Sequence, residues 1–147
     1  MFDALIIGGG ASGMSCALVL GSAQTKAYAQ DKSIGIIMHK KSSHLQNDLF
    51  NNLLGLAPGT TGTSIMESGK KQLSSLYPHV EQIEKEKVLE ISNSDNIFQV
   101  RTNTITYTSN IVVVTVGSTN LMRIKGLEQY VEAHPKAQIE KERLWLK

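Results

Sequence analysis

The chain has 147 residues, of which 41% are hydrophobic and 19% are charged, a composition typical of one ordinary globular domain. Fifteen Lys and Arg residues against thirteen Asp and Glu residues leave a net charge of +2, too small a surplus for a protein that holds nucleic acid by neutralising phosphates. The single cysteine, Cys16, excludes a disulfide framework and a Cys-rich zinc site, and the four histidines lack ligand spacing, so no metal site is predicted.

The apolar N-terminal stretch does not have the pattern of a targeting segment. No Lys or Arg precedes it, Asp3 lies inside it, and four glycines interrupt it. The sequence also lacks a run of about 18 apolar residues that could cross a membrane. We therefore expect a cytoplasmic protein that contacts no membrane.

The opening of the chain predicts a strand, a turn, a helix and a second strand. Phe2–Ile7 is apolar and ends in glycines, residues 11 to about 23 predict a helix, and Ile34–Met38 is apolar almost throughout. Strands without polar alternation are typical of parallel sheets that are covered on both faces. The three elements therefore predict one βαβ unit with a right-handed crossover.

The middle of the chain predicts a loop followed by a helix. Residues 39–62 are rich in Asn, Ser, Gly and Thr. Ser64 and Glu67 have the spacing of a capping box, in which each side chain satisfies a free N–H of the first helical turn. We expect the helix to run from Ser64 to about Tyr77 and to be stopped by Pro78.

Short strand candidates with polar breaks follow the second helix. They predict an antiparallel β-meander at about residues 80–110, inserted between elements of the parallel sheet. Residues 111–116 predict a further buried parallel strand. The predicted fold class is α/β, a Rossmann-like three-layer fold with a parallel sheet and an inserted antiparallel meander. The four strand candidates of the meander are residues 80–84, 87–92, 97–101 and 104–108.

Residues 8–13, with the sequence GGGASG, match the dinucleotide-binding pattern G-x-G-x-x-G, and they follow a predicted strand and open a predicted helix. Gly8 permits the sharp turn, Gly10 lets a phosphate approach the backbone, and Gly13 lets the helix lie close to the strand. Free N–H groups of the first helical turn and the positive end of its dipole then hold a pyrophosphate. The predicted phosphate-binding residues are Gly8, Gly10, Ala11, Ser12 and Gly13.

The acidic residue that binds a ribose hydroxyl at the end of the second strand in many such sites is missing. The strand is followed by His39, Lys40 and Lys41. In one reading His39, Lys40 or Ser42 contacts the adenosine part, and a lysine on a 2′-phosphate would favour NADP. In the other reading these residues form a solvated basic loop, since exposure is the usual state of lysine.

Three segments in this order resemble the FAD domain of the thioredoxin-reductase-like flavoproteins, over about residues 1–128. This resemblance implies FAD as the cofactor, with Asn52 reaching its flavin side and the backbone of Val88 meeting its adenine. It also implies that Thr115, Val116 and Gly117 pack against FAD near the pyrophosphate and ribityl groups. The segments are LIIGGGASGMSCA (5–17), NNLLG (51–55) with GTTG (59–62), and VVVTVGS (112–118) with IKGLE (124–128).

The chain departs from that family in ways that bear on function. Its reductases use a Cys-x-x-Cys pair, whereas Cys16 stands alone and is expected to be a small buried apolar residue. A second G-x-G-x-x-G and the family's late Gly-Asp segment are also missing. We therefore expect no NADPH domain, and we expect residues 129–147 to be a polar tail that is an incomplete remainder of the domain.

These observations predict a flavoprotein oxidoreductase without an internal redox disulfide. The flavin would transfer the electrons, a donor and an acceptor would come from solution or from a partner, and NADP is a candidate external reductant. No side chain is predicted as a catalytic acid, base or nucleophile, and a homo-oligomer is compatible with the sequence. Two alternatives stay open: a non-catalytic dinucleotide-binding module or subunit with weak or no flavin, and an NAD(P)-binding protein.

Overall fold

The computed structural model describes residues 1–39, 44–117, 124–133 and 144–146. The two helices are α1 (Ala11–Ser22) and α2 (Gly62–Leu76). The strands in chain order are β1 (Phe2–Ile7), β2 (Ile34–Met38), β3 (Leu49–Phe50), β4 (Thr60–Thr61), β5 (Val80–Glu84), β6 (Val88–Ser94), β7 (Ile97–Thr102), β8 (Thr106–Val114), β9 (Val131–Ala133) and β10 (Leu144–Leu146).

Six of these strands form the main sheet, in the order β5-β2-β1-β8-β7-β6. The first four run parallel to one another, and β7 and β6 continue the sheet in antiparallel fashion. The strands β3 with β4 and β9 with β10 form two separate antiparallel pairs. The predicted fold class, a Rossmann-like α/β fold with an antiparallel meander, is confirmed.

The parallel strands bury side chains on both faces, as their continuous apolar sequences predict. One face packs against the two helices, and the other packs against side chains of β6 and β7, so the meander forms the third layer. The helix-side core includes Ile6, Met14, Ala17, Ile34, Ile36, Met38, Met66, Leu73 and Val80. The meander-side core includes Phe2, Leu5, Ile7, Ile37, Ile83, Val88, Ile91, Val100, Ile124 and Leu127.

The prediction that residues 80–84 belong to the meander is wrong. The strand β5 pairs in parallel with β2, with Val80 opposite Ile34 and Glu84 opposite Met38. Because α2 precedes it, β5 closes a second strand-helix-strand unit at the edge of the parallel sheet. Its carboxyl end therefore lies at the same edge of the sheet as the carboxyl ends of β1 and β2.

The two strands predicted at 104–108 and 111–116 are one continuous strand, β8. Its first half pairs with β7 in antiparallel fashion, and its second half pairs with β1 in parallel. Ser109 lies at the junction and is fully buried. Its hydroxyl donates to the carbonyl of Ile111 at 2.7 Å, so a polar residue is accommodated without breaking the strand.

The C-terminal part of the chain makes two further backbone pairings. The backbone of Lys125 exchanges hydrogen bonds with β6, to Leu89 at 3.1 Å and from Ile91 at 2.8 Å. Residues 131–133 and 144–146 pair as β9 and β10. The domain boundary after residue 128 stays a prediction. Neither helix in the described ranges has the length and apolar content needed to cross a membrane.

The helix α2 begins two residues before the predicted start and is capped by a different residue. Its N-cap is Thr61, whose hydroxyl oxygen accepts from the N–H of Ser64 at 3.2 Å. Ser64 therefore occupies the third helical position, and the predicted box of Ser64 with Glu67 is wrong. The hydroxyl of Ser64 instead donates to the carbonyl of Thr61 at 2.8 Å.

This cap gives a stability prediction. Thr61→Ala is expected to lower the free energy of unfolding by about 1 kcal/mol, because one N–H of the first turn loses its acceptor. Glu67→Ala serves as the matched control and is expected to change it by less than about 0.5 kcal/mol, as is usual for an exposed side chain. Urea unfolding of both variants checks the pair. A larger effect at Glu67 than at Thr61 would instead support the predicted capping box of Ser64 and Glu67.

Candidate dinucleotide-binding site

The glycine turn lies between β1 and α1, at the carboxyl edge of the parallel strands. Gly8 has a φ of +118°, and its N–H donates to the carbonyl of Ile37 on β2 at 3.0 Å. Gly10 is the N-cap of α1, and no side chain in the described part of the chain caps the helix. The first amides of α1 are therefore presented by bare backbone, which is the arrangement that an anionic ligand can occupy.

The packing of the turn explains why it needs glycines. A Cβ at Gly8 would lie 2.6 Å from the carbonyl oxygen of Thr115. A Cβ at Gly13 would overlap the carbonyl oxygen of Gly8 and would lie 2.6 Å from Oγ1 of Thr115. Helix α1 therefore approaches β1 and the end of β8 at backbone distance, as predicted for a phosphate-binding turn.

Thr115, Val116 and Gly117 follow directly after β8 and reach the same edge of the sheet. The N–H of Thr115 donates to the carbonyl of Ile7 at 2.8 Å. Its hydroxyl lies 2.9 Å from that carbonyl oxygen and 3.0 Å from the carbonyl oxygen of Gly8. The structure thus brings the predicted strand end and the predicted turn into direct contact, which sequence spacing alone could not show.

The carboxyl end of β2 also contacts the turn. The side chain of Met38 fills the space beside Gly9, since a Cβ there would lie 2.5 Å from its Cγ. The next residue, His39, is exposed. Lys40, Lys41 and Ser42 lie outside the described residues, so the two readings of this segment stay predictions. Sequence reasoning missed Met38, because a methionine at a strand end carries no signal of contact with a glycine.

Val88 is the first residue of β6 and follows the short connection from β5. Asn103 holds Lys87, the residue before Val88, through two hydrogen bonds. Its Oδ1 accepts from the N–H of Lys87 at 2.7 Å, and its own N–H donates to the carbonyl of Lys87 at 3.0 Å. The side chain of Val88 is buried in the meander-side core. Its side chain is therefore not available to a ligand, and the contact of its backbone with adenine stays a prediction.

A partly buried carboxylate anchors this connection to the meander. Glu86 accepts hydrogen bonds from the hydroxyl of Thr102 at 2.6 Å and from the hydroxyl of Tyr107 at 3.0 Å. Burial by itself raises the pKa of Glu86, but the hydrogen bonds from Thr102, Thr104 and Tyr107 outweigh it and hold the pKa below its usual value. The ionised form is therefore the one that this site stabilises.

Tyr107 gives a prediction of pH dependence. Burial, followed by the hydrogen bond and negative charge of Glu86, raises its pKa to about 12 from 10.0. The neutral phenol is the favoured form, so its contribution to stability is complete below pH 10 and is lost as the pH rises toward 12. The difference in phenolate absorbance between the wild type and Tyr107→Phe is expected to show one transition near the upper value. A transition at the ordinary value would contradict the contact with Glu86.

Asn52 is not part of this cluster of contacts around the glycine turn. It lies in the exposed loop of residues 51–59, which connects β3 with β4 in a separate two-stranded sheet. Its neighbour Asn51 shapes the loop, because its Oδ1 accepts from the N–H of Gly59 at 2.9 Å. Asn52 is thereby left facing solvent, and its predicted contact with a flavin stays a prediction.

The other candidates for a chemical role are the thiol of Cys16 and a metal site, and the described residues show neither a reactive thiol nor a metal site. Cys16 is half-buried rather than fully buried, and it packs beside the helix-side core. Burial raises the pKa of its thiol and favours the unreactive protonated form. Among the described residues, no group of three or more His, Cys, Asp or Glu side chains has the arrangement of a metal site.

Comparison with known proteins finds similarity at the level of structure. No protein-family model and no curated protein sequence matches the chain. An oxidoreductase from Agrobacterium tumefaciens superposes with a TM-score of 0.66 and 26% identity, over 88% of this chain and 41% of its own. Thioredoxin reductase from Streptococcus pyogenes gives 0.65 and 26%, over 80% of this chain and 35% of its own.

A third structure shows the same relation. Thioredoxin reductase from T. acidophilum has a TM-score of 0.64 and 24% identity, over 79% of this chain and 35% of its own. This chain therefore spans less than half the length of the structures that it matches. The resemblance drawn from the sequence is confirmed at the level of the fold: the chain is similar to one part of those longer oxidoreductases.

Proposed function

We propose that this chain binds FAD and forms the flavin-binding part of an oxidoreductase that carries no redox disulfide of its own. The observation that carries the proposal is the turn at residues 8–13. Its helix begins with bare backbone amides, and its close packing admits only glycine at Gly8 and Gly13. A diphosphate fits this chemistry, because it supplies the negative charge and the acceptors that such a helix start lacks.

Each part of FAD has a proposed partner in the chain. The amides that follow Gly10 hold the diphosphate, and the backbone of Val88 meets the adenine. Asn52 approaches the flavin side, and the segment from Thr115 to Gly117 lies along the diphosphate and ribityl. The flavin supplies the electron transfer when it is bound, and these residues bind and orient it. They offer no acid, base or nucleophile to the reaction.

The electron donor and the electron acceptor of the proposed reaction are separate molecules. Cys16 is the only cysteine in the sequence, so a dithiol within the chain cannot exchange electrons with the flavin. We propose that an external reductant, for which NADP in its reduced form is the first candidate, and an external acceptor meet the flavin. This separates the proposed activity from that of an enzyme that relays electrons through its own cysteines.

Cofactor content and ligand choice test the proposal. The purified protein is expected to absorb at about 450 nm and to release FAD on denaturation, identified by its mass. Calorimetric titration of the cofactor-free protein with FAD, FMN, NAD and NADP then identifies the ligand. FAD is expected to bind more tightly than FMN, because FMN lacks the diphosphate and adenine. Equal binding of FAD and FMN, or binding of NAD or NADP alone, would contradict the proposal.

A second candidate is a binding module without turnover of its own. The glycine turn favours it, because bare backbone amides bind a diphosphate without supplying an acid, a base or a nucleophile. Oxidation of NADPH in the presence of the FAD-loaded protein and an artificial acceptor separates the two. Flavin binding without turnover supports the module, and turnover above that of free FAD supports the enzyme.

A further inference from the structure

We infer that Thr115 is a positioning residue that holds the phosphate-binding turn in the shape its ligand requires, through the contact of its hydroxyl with the carbonyls of Ile7 and Gly8. The inference rests on the proposed binding of FAD. It differs from the role that the resemblance implies, in which the end of β8 packs against the cofactor directly. The backbone of that segment keeps the implied role, and the hydroxyl of Thr115 acts on FAD through the turn.

The contacts of Thr115 all join the end of β8 to the entrance of the turn. The register places Val114 opposite Ile7, so Thr115 is the first residue beyond the paired strands. Its N–H donates to the carbonyl of Ile7 at 2.8 Å. Its hydroxyl oxygen lies within hydrogen-bond distance of two acceptors, the carbonyl oxygens of Ile7 at 2.9 Å and of Gly8 at 3.0 Å. The side chain is therefore engaged with the backbone of the turn.

The orientation of one peptide plane links this contact to ligand binding. In a trans peptide the carbonyl of one residue and the N–H of the next point in opposite directions, and the described residues contain no cis peptide. Holding the Gly8 carbonyl toward Thr115 therefore directs the N–H of Gly9 away from β8. Rotation of that plane would place a carbonyl oxygen where an amide stood, and a carbonyl oxygen repels a phosphate.

The backbone of the turn is flexible enough for such a restraint to matter. Gly8 has a φ of +118°, a region in which glycine has more freedom than any other residue. Oγ1 of Thr115 would also lie 2.6 Å from a Cβ at Gly13, so the same atom packs against the start of α1. One hydroxyl thus contacts both the peptide before the phosphate-binding amides and the helix that presents them.

Two substitutions at Thr115 test the inference against a matched control. Thr115→Val keeps the shape but removes the hydroxyl, and it is expected to raise the Kd for FAD about tenfold, or about 1.4 kcal/mol. Thr115→Ser keeps the hydroxyl and is expected to bind within about twofold of the wild type. Ser109→Ala removes a fully buried hydroxyl that bonds a backbone carbonyl in the middle of the same strand, away from the turn. It is expected to lower the melting temperature but to leave the Kd unchanged.

Hydrogen exchange of the cofactor-free protein provides a readout that does not need FAD. Thr115→Val is expected to speed exchange at Gly8 and Gly9, whereas Ser109→Ala is not. If the wild type binds no FAD, the proposed function fails and this exchange still tests the restraint. If the wild type binds FAD and Thr115→Val binds it equally well, the inference alone is overturned. Equal weakening by Ser109→Ala would also overturn it, because general destabilisation would then explain the loss.

Thr115→Ala guards against a failure of the valine variant to fold, since it removes the hydroxyl without adding an atom. It is expected to fold and to repeat the tenfold loss. Collapse of the whole sheet in both variants would contradict the inference, because a contact that serves one turn should not be needed to hold six paired strands.

Discussion

Gly10→Val is expected to abolish FAD binding and to leave the protein folded. Gly10 has φ −77° and ψ −173°, an extended conformation that any residue adopts, so a side chain at this position causes no backbone strain. The added isopropyl group would stand where the backbone must come close to the diphosphate. We expect the Kd for FAD to rise at least about 100-fold, or about 2.7 kcal/mol. Calorimetric titration measures this loss.

The fold of Gly10→Val is checked separately. Valine is a poorer N-cap than glycine, so a fall in stability of about 1 kcal/mol is expected. Ser15→Ala is the control on the same helix, because it alters an exposed side chain outside the predicted binding residues and leaves every backbone amide in place. It is expected to keep FAD binding within about threefold. Stoichiometric flavin in purified Gly10→Val would exclude the role of this turn as the diphosphate site.

Gly13→Ala is expected to lower the stability of the fold, whereas Gly10→Val mainly lowers the affinity for FAD. The new methyl group would overlap the carbonyl oxygen of Gly8, and backbone atoms cannot give way as a flexible side chain can. We expect the free energy of unfolding to fall by about 3 kcal/mol, the upper end of the usual cost of overpacking. Urea unfolding of the cofactor-free protein measures this loss, so the result does not depend on FAD.

The two glycine variants together separate the two tasks of the turn. If Gly13→Ala unfolds as easily as the wild type, α1 does not approach β1 as closely as the structure shows. Ser15→Ala again serves as the control and is expected to change the free energy of unfolding by less than about 0.5 kcal/mol. A variant that loses binding alone at Gly10, and one that loses stability at Gly13, would support both assignments.

The sequence by itself determined the elements that bear on the proposed site. The apolar runs of β1 and β2 and the spacing of Gly8, Gly10 and Gly13 predict a strand, a turn, a helix and a strand, and the structure has them at those residues. These signals are local. An apolar run without alternation, and glycines where no Cβ fits, report the surroundings of each residue directly.

Only the tertiary structure decided how the second half of the chain pairs. Val80–Glu84 has the same two-residue period in a parallel sheet as in a meander, so its sequence could not show that its partner is β2. Likewise, the polar Ser109 predicts a break between two strands, but in the structure its hydroxyl donates to the carbonyl of Ile111 and the strand continues. The hydrogen bond from Thr115 to Gly8 joins residues that are 107 positions apart in the sequence. Such contacts depend on which strands become neighbours, and that is settled by packing over the whole sheet.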